Sequence, residues 1–143
     1  MKKTIKVDTI WKGAMRVDSM AGDHMVIIDQ PKTMGGKNEG ANQMEVFLFA
    51  LGGCMGTVAA IIANQERINL RKFDVQIQGD MDTDFLLGQT KEGRAGFTEI
   101  RVVVDIDADM TDEEKQKFLE KVDFRCPISD NMLNQTKVIF DVK

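Results

Sequence analysis

The sequence predicts an α+β fold, because one long uncharged stretch has the character of a buried helix and several shorter stretches alternate as strands do. Val46–Ala63 contains no charged residue and is apolar on all sides, which is typical of a helix that is buried on every side. Phe73–Gln78 and Phe97–Ile106 alternate between apolar and polar residues, which indicates half-buried strands. The predicted element order is ββ-α-ββ-αα-β, and we expect residues 1–143 to form a single domain.

The first part of the chain is predicted to contain two strands and a loop. Thr4–Val17 alternates imperfectly and is interpreted as a strand, and Asp18–Asp23 has the composition of a turn. His24–Ile28 is predicted to be the second strand. Pro31–Gly40 follows as a loop, in which the glycines indicate backbone angles that other residues avoid.

The long helix has a recognisable start. Asn42 suits the N-cap position, and Glu45 suits the third helical position, from which its carboxylate can reach back to the backbone of the cap. We expect this helix to run to about Arg67. After the strand that follows, Asp80–Gly96 is polar and is expected to be flexible.

Two helices and a strand are predicted to complete the chain. Thr111–Glu114 is a second capping pattern, which opens an amphipathic helix. Pro127 suits the first turn of another helix, which we expect to end at about Gln135. Lys137–Val142 is predicted to be the last strand.

Composition narrows the class of protein. Hydrophobic residues make up 43% of the chain and charged residues 29%, as in soluble globular domains. The net charge of −4 lacks the positive surplus that nucleic-acid binding requires. Val46–Ala63 is long enough to be tested as a membrane span, but its glycines and alanines and the lack of a flanking positive cluster favour a core helix. The start of the chain lacks the apolar stretch of a signal peptide, so we expect a cytoplasmic protein with no nucleic-acid or membrane partner.

Cys126 is the first of two candidate residues for thiol chemistry. Pro127 places it at or beside the N-cap of a helix, where the partial positive charge of the helix end favours a thiolate. Arg125 is a second possible source of positive potential. The alternative is that Cys126 is a small buried apolar residue.

Cys54 is the second candidate, and it lies inside the long helix. There its thiol has no helix terminus beside it, and apolar burial raises the pKa of a thiol. To react, Cys54 would need a cation from another segment or subunit. Gly52, Gly53 and Gly56 surround it, which indicates either room for a ligand or the close packing of another helix.

Three stretches of the sequence resemble one known family. Gly36–Cys54 resembles the central-helix signature of the OsmC/Ohr family, and Arg125–Ser129 resembles the second cysteine motif of that family. Gly96–Ile100 is similar to its strand entry. The likeness runs from about Trp11 to Val142, and the two cysteine motifs in this order make it specific.

The resemblance implies an OsmC/Ohr-like fold, in which a long central helix is wrapped by antiparallel β-sheet and two chains form an intertwined homodimer. It further implies a thiol-dependent peroxidase that reduces organic hydroperoxides. In that reaction Cys54 becomes a sulfenic acid, Cys126 resolves it as a disulfide, and a dithiol reductant regenerates the pair. No cofactor or metal is implied.

The resemblance also identifies candidate activating residues. Peroxidase members hold the thiolate with an arginine from the first strands, oriented by a glutamate ten residues before the cysteine. Arg16 lies in the region of that arginine, with Arg125 as a competing cation. The glutamate position is Met44 here, and Glu45 comes one residue later, about half a turn around the helix from Cys54 and roughly 13 Å along it. Helix capping is the alternative role of Glu45.

Other functions stay open on the sequence alone. The protein could be a non-enzymatic dimer that binds an apolar small molecule or senses redox state through Cys54, or it could carry sulfur or acyl groups on that thiol. His24 is the only histidine, and without a second histidine or a cysteine near it in sequence we predict no zinc site. We interpret His24 as a polar surface residue, with a catalytic role as the alternative.

Overall fold

The computed structural model describes residues 1–143 and confirms the predicted α+β fold, with a long helix and antiparallel sheets. The chain divides into two compact units, Met1–Phe49 and Ala50–Lys143, and the division falls within the long helix. The organisation as one domain stays a prediction.

A three-stranded antiparallel sheet forms most of the first unit. Its strands are β1 (Asp8–Trp11), β2 (Val17–Ala21) and β3 (His24–Ile28), in that spatial order. Pairing runs from Asp8 opposite Met20 and from Val17 opposite Ile28, so two successive hairpins build the sheet.

The second predicted strand, His24–Ile28, is confirmed as β3, but the first is wrong because a turn interrupts Thr4–Val17. Gly13 (φ 98°) and Ala14 (φ 46°) both have left-handed backbone conformations, which reverse the chain between β1 and β2. Most of Asp18–Asp23, predicted to be a turn, consequently belongs to β2. The turn between β2 and β3 is shorter than predicted and involves only Gly22 (φ 61°) and Asp23.

A loop organised around a buried carboxylate connects β3 to the long helix. Asp29 is 1% exposed, and it accepts hydrogen bonds from the backbone N–H groups of Gln30 (2.8 Å), Lys37 (3.0 Å) and Glu39 (3.1 Å). These bonds lower the pKa of the Asp29 carboxyl, the one from Glu39 most of all. The predicted unusual backbone angle is confirmed at Gly35 (φ 85°). Gly36 is needed for a different reason, since a Cβ atom there would lie 1.9 Å from the carbonyl oxygen of Gln30.

The long helix α1 (Gln43–Glu66) begins at the predicted cap. The side-chain oxygen of Asn42 accepts from the backbone N–H of Glu45 at 2.9 Å, and the Glu45 carboxylate accepts from the backbone N–H of Asn42 at 2.8 Å. The helix ends where Arg67 adopts a left-handed conformation (φ 57°).

Helix α1 is buried along one face and exposed along the other, so burial on every side is not achieved within one chain. The buried residues are Leu51, Met55, Val58, Ala59, Ile62 and Ala63. On the opposite face Phe49 is 64% and Ile61 43% exposed. By length and composition α1 could cross a membrane, but core helices of soluble proteins share both properties.

The second unit packs two helices and a long hairpin against the buried face of α1. Strands β4 (Lys72–Met81) and β5 (Phe97–Asp107) pair antiparallel, and the short helix α2 (Thr83–Leu86) lies in the segment predicted to be polar and flexible. Helix α3 (Asp112–Arg125) begins with the predicted capping box, and α4 (Pro127–Leu133) follows. The core comprises Leu51, Met55, Val58, Ala59, Ile62, Ile106, Ala108, Phe118, Val122 and Cys126.

The last predicted strand is absent from the single chain. Lys137–Val142 has no regular structure, and its apolar side chains are between 66% and 99% exposed. The alternating sequence there has no neighbouring strand within the chain to pair with, and a strand without a partner is not stable in water.

Candidate functional site

Cys126 lies at the corner between α3 and α4, where its backbone serves both helices. It is the N-cap of α4, as predicted, and its backbone N–H also closes α3 by donating to the carbonyl of Asp123 at 3.1 Å. The thiol is fully buried, and its sulfur accepts from the backbone N–H of Ser129 at 3.5 Å. The Ser129 hydroxyl donates to the Asp123 carboxylate at 2.5 Å, which ties the two helices together.

The structure brings the two cysteines together. The Cys126 thiol contacts the Cys54 sulfur at 2.8 Å, and both thiols are free. Cys54 projects from the middle of α1 and is partly exposed, whereas Cys126 is enclosed behind it. Closing a disulfide from this contact requires a movement of only about 1 Å. A chemical step that uses both sulfurs is therefore geometrically possible without rearranging either helix.

The electrostatic setting of Cys54 favours the protonated thiol. Burial raises the pKa of Cys54 above its ordinary value, and the hydrogen bond from Cys126 raises it further. The backbone N–H of Ile128, in the first turn of α4, acts in the opposite direction but does not prevail. No arginine is among the causes of this shift.

A cavity of about 500 Å³ opens at the exposed side of Cys54. One wall is a face of α1, formed by Ala50, Gly53, Cys54, Thr57, Val58 and Ile61. Arg125 and Pro127 form the other wall. A Cβ atom added at Gly53 would meet no other atom within 4 Å, so the glycine leaves open space beside the thiol and does not accommodate a packed neighbour within the chain.

The Arg125 guanidinium is directed away from the thiols. Its Nη1 donates to the side-chain oxygen of Gln65 at 2.9 Å, and Gln65 lies in the last turn of α1. Arg125 therefore lines the cavity without holding Cys54 in the ionised form.

Arg16 lies in the first unit, at the base of β2, between two carboxylates. Its guanidinium donates to Asp18 at 2.8 and 3.3 Å and to Glu39 at 2.8 Å. These hydrogen bonds raise the pKa of Arg16, the bonds to Asp18 most of all, and they lower the pKa of the Asp18 carboxyl. Glu45 contacts the backbone of Asn42, in its capping role. The roles of Arg16 and Glu45 at the thiol stay predictions.

Glu39 is a partner of the candidate residue Arg16 that the sequence analysis did not identify. The Glu39 carboxylate accepts a hydrogen bond from Arg16. The helical position ten residues before Cys54, where the resemblance led us to expect a glutamate, is Met44. Its backbone is fixed by Asp29, which accepts its N–H. The only sequence signal was its position between Gly36 and Gly40, in the loop that leads into the helix.

Comparison with known proteins supports one family. The family model described as OsmC-like protein matches residues 36–141, which contain both cysteines. No curated protein matches the chain significantly in sequence.

Solved structures share the fold. An OsmC-like protein from Mycoplasma pneumoniae superposes with a TM-score of 0.81 at 19% identity, covering 94% of this chain and 91% of that one. An organic hydroperoxide resistance protein from Elizabethkingia anophelis gives a TM-score of 0.65 at 21% identity, with 94% and 91% covered. An organic hydroperoxide resistance protein from Legionella pneumophila gives 0.64 at 18% identity, with 91% and 89% covered.

The likeness to these structures extends over nearly the whole chain, although at such identities it shows the fold alone. The match to the family model is independent of it and covers most of the sequence, including the cysteine motifs from α1 and from the α3–α4 corner. The chain therefore belongs to the OsmC-like protein family.

Proposed function

We propose that this protein is a thiol-dependent peroxidase that reduces organic hydroperoxides. The observation that carries the proposal is the 2.8 Å contact between the sulfurs of Cys54 and Cys126, at a cavity that reaches only the first of them. Cys54, the more exposed thiol, can react with a substrate in the cavity. Cys126, the enclosed thiol, can then react with the oxidised Cys54.

The chemistry proceeds in two steps. The Cys54 thiolate attacks the terminal oxygen of the hydroperoxide, the O–O bond breaks, and the alkoxide leaves as an alcohol after it takes up a proton. Cys54 is then a sulfenic acid, and the Cys126 sulfur attacks the Cys54 sulfur and displaces water to form a disulfide. A dithiol reductant restores the two thiols by exchange.

Membership of the family and the names of similar structures support this proposal. Two of those structures are organic hydroperoxide resistance proteins, and the pairing of an exposed and a buried cysteine fits such a function. Arg16 is the proposed cation for the Cys54 thiolate, with Asp18 and Glu39 fixing its guanidinium.

A count of thiols tests the proposed reaction. When the reduced protein reacts with one equivalent of cumene hydroperoxide, we expect two thiols per chain to disappear and an intramolecular disulfide between Cys54 and Cys126 to form. Titration of free thiols and mass spectrometry of a non-reduced digest measure both. Thiols that survive an excess of the hydroperoxide would overturn the proposal.

A second candidate function follows from the electrostatics of Cys54. Its raised pKa and the presence of Met44 in place of a glutamate favour a non-enzymatic protein that binds an apolar small molecule or responds slowly to oxidants. This function takes precedence if the thiols resist the hydroperoxide.

The exposed face of α1 supports the homodimer that the sequence analysis predicts. Ala50, Gly53, Thr57, Ala60 and Ile61 form a stripe of mainly small residues that solvent reaches in the single chain. Such residues allow two helices to approach closely, and a monomer would leave this mainly apolar stripe uncovered. We propose that this protein is a cytoplasmic homodimer.

We expect light scattering at micromolar concentration to give the mass of two chains. Ala60→Glu, which places a charge on the stripe, should shift the mass to that of one chain, because burying an unpaired carboxylate is costly. Gln89→Glu adds a carboxylate at an exposed position outside α1 and serves as the control. A single-chain mass for the unmodified protein would contradict the dimer.

A further inference from the structure

The bond between Ser129 and Asp123 is the only side-chain hydrogen bond that joins α3 to α4. The Ser129 hydroxyl is buried and donates to the Asp123 carboxylate at 2.5 Å. A hydrogen bond to a charged acceptor is roughly twice as strong as one between neutral groups. The other contacts of α4 with the core are apolar, at Ile128 and Met132, and such contacts are not directional. The hydroxyl–carboxylate bond therefore fixes how the two helices meet.

Asp123 has no role within its own helix that accounts for its position. It lies in the last turn of α3, where a carboxylate faces the negative end of the helix dipole and lowers the stability of the helix. No basic side chain forms an ion pair with Asp123, and its side chain bonds to Ser129. The favourable contact that Asp123 makes is therefore the one with α4.

The turn of α4 that contains Ser129 also donates to both sulfurs. The backbone N–H of Ile128 donates to the Cys54 sulfur, and that of Ser129 donates to the Cys126 sulfur at 3.5 Å. The backbone of Cys126 is bonded to both helices, since its N–H donates to Asp123 at 3.1 Å and its carbonyl accepts from Asp130 at 3.0 Å. A change in how α3 and α4 meet would therefore move the Cys126 sulfur relative to Cys54.

We propose that Ser129 and Asp123 are positioning residues for the cysteine pair. Their bond keeps the first turn of α4 where the Cys126 sulfur contacts Cys54, and it thereby favours closure of the two thiols to a disulfide. In turnover this role rests on the peroxidase proposed above: the Cys126 thiol attacks the Cys54 sulfenic acid, the S–S bond forms, the S–O bond breaks and water leaves. A misaligned pair closes more slowly, which exposes the sulfenic acid to a second molecule of hydroperoxide.

The reduction potential of the pair tests this role without a peroxide. In mixtures of oxidised and reduced dithiothreitol, the two protein thiols give two electrons and two protons to the oxidised reagent and become a disulfide. We expect Asp123→Ala and Ser129→Ala each to lower the equilibrium constant for closure roughly tenfold, the order expected for loss of a hydrogen bond to a charged group. This is a rise of about 30 mV in the reduction potential. Alkylation of the remaining thiols and mass spectrometry measure the oxidised fraction.

The potential separates positioning from a structural role. A bond that only stabilises the fold acts equally on the reduced and oxidised forms and leaves the potential unchanged. The double variant should shift the potential no further than either single variant, because both remove the same bond. Asp123→Asn keeps an acceptor oxygen and should retain most of the closure constant. Asp123 is exposed, so Asp123→Ala leaves no cavity and tests the proposal even if Ser129→Ala fails to fold.

Glu120→Ala is the matched control. It removes an exposed carboxylate and a side-chain hydrogen bond from α3, but that bond, from Gln116 at 3.1 Å, stays within the helix. Its potential should equal that of the unmodified protein. Unchanged potentials in Asp123→Ala and Ser129→Ala, additive shifts in the double variant, an equal shift in Glu120→Ala, or an unmodified pair that stays reduced in every mixture would each overturn the proposal.

The outcomes for positioning and for peroxidase activity are distinguishable. A shifted potential in a protein whose thiols resist hydroperoxide would support the positioning of the pair and refute the peroxidase. A protein that consumes hydroperoxide through both thiols, with potentials that neither substitution moves, would refute the positioning role alone. If both proposals hold, excess cumene hydroperoxide should convert more Cys54 to sulfinic acid in Asp123→Ala than in Glu120→Ala.

Discussion

Replacement of Cys54 by serine is expected to abolish the reduction of organic hydroperoxide. A serine hydroxyl does not ionise near neutral pH and does not accept an oxygen atom, so the rate should fall by several orders of magnitude. The measurement is the rate of loss of cumene hydroperoxide in the presence of dithiothreitol. The fold should be unaffected, because Cys54 is only partly buried and serine is close to it in size.

Cys126→Ser is the matched variant, and it should change the product without preventing the first step. The peroxide still reaches Cys54, but the sulfenic acid has no sulfur at 2.8 Å to react with, so it accumulates or is oxidised further. Dimedone followed by mass spectrometry should trap an adduct on Cys54 in this variant and little in the unmodified protein. Unchanged turnover in the Cys54→Ser variant would assign the chemistry elsewhere.

Without a cation beside the thiolate, the reactivity of Cys54 is expected to rise steeply with pH. The thiolate is the reactive form, and burial together with the bond from Cys126 raises the pKa of Cys54. While the pH is below that pKa, the thiolate fraction grows about tenfold per pH unit. Burial is the larger cause and remains in a Cys126→Ser background, which leaves one thiol to react. In that background the rate of alkylation by iodoacetamide should keep rising through about pH 8.5, the ordinary value for a thiol.

The opposite result would identify a missing cation. A plateau that begins below neutral pH would mean that a positive group lies beside the thiolate in the assembled protein. Arg16→Met and Arg125→Met would then distinguish the sources, since only the residue that stabilises the thiolate would move the plateau to higher pH when removed. The role proposed for Arg16 requires this plateau, together with its loss in Arg16→Met; in the single chain Arg16 binds two carboxylates and Arg125 binds Gln65.

Several features of the fold and the site could be predicted from residues that are close together in the sequence. Asn42 and Thr111 mark helix starts because a side-chain oxygen and a carboxylate three residues later satisfy the same backbone groups, and that pattern depends on nothing distant. Pro127 likewise placed Cys126 at a helix start. The contact between the cysteines followed from the resemblance, since nothing local to either one predicts it.

The remaining features depend on contacts between distant residues. The chain folds back within Thr4–Val17 because Gly13 and Ala14 have left-handed conformations. Alanine rarely adopts such a conformation, so the sequence does not predict a turn at Ala14. Arg16 contacts Glu39 because Asp29 fixes the path of the loop that carries Glu39. The pattern of apolar and polar residues gives no information on such a contact. Lys137–Val142 has the alternating sequence of a strand but no strand within the chain to pair with. An alternating sequence does not show whether a pairing strand is present.

The closeness of the two sulfurs also links redox state to conformational stability. The native packing of α1 against the α3–α4 corner holds together two cysteines that are 72 residues apart in the chain, a separation at which an unfolded polypeptide would rarely bring them into contact. Folding therefore promotes closure of the covalent link, and thermodynamic reciprocity requires that the link favour folding to the same extent, by about 4 kcal/mol on chain-entropy grounds. A reductant that cleaves this disulfide therefore also lowers the stability of the folded protein.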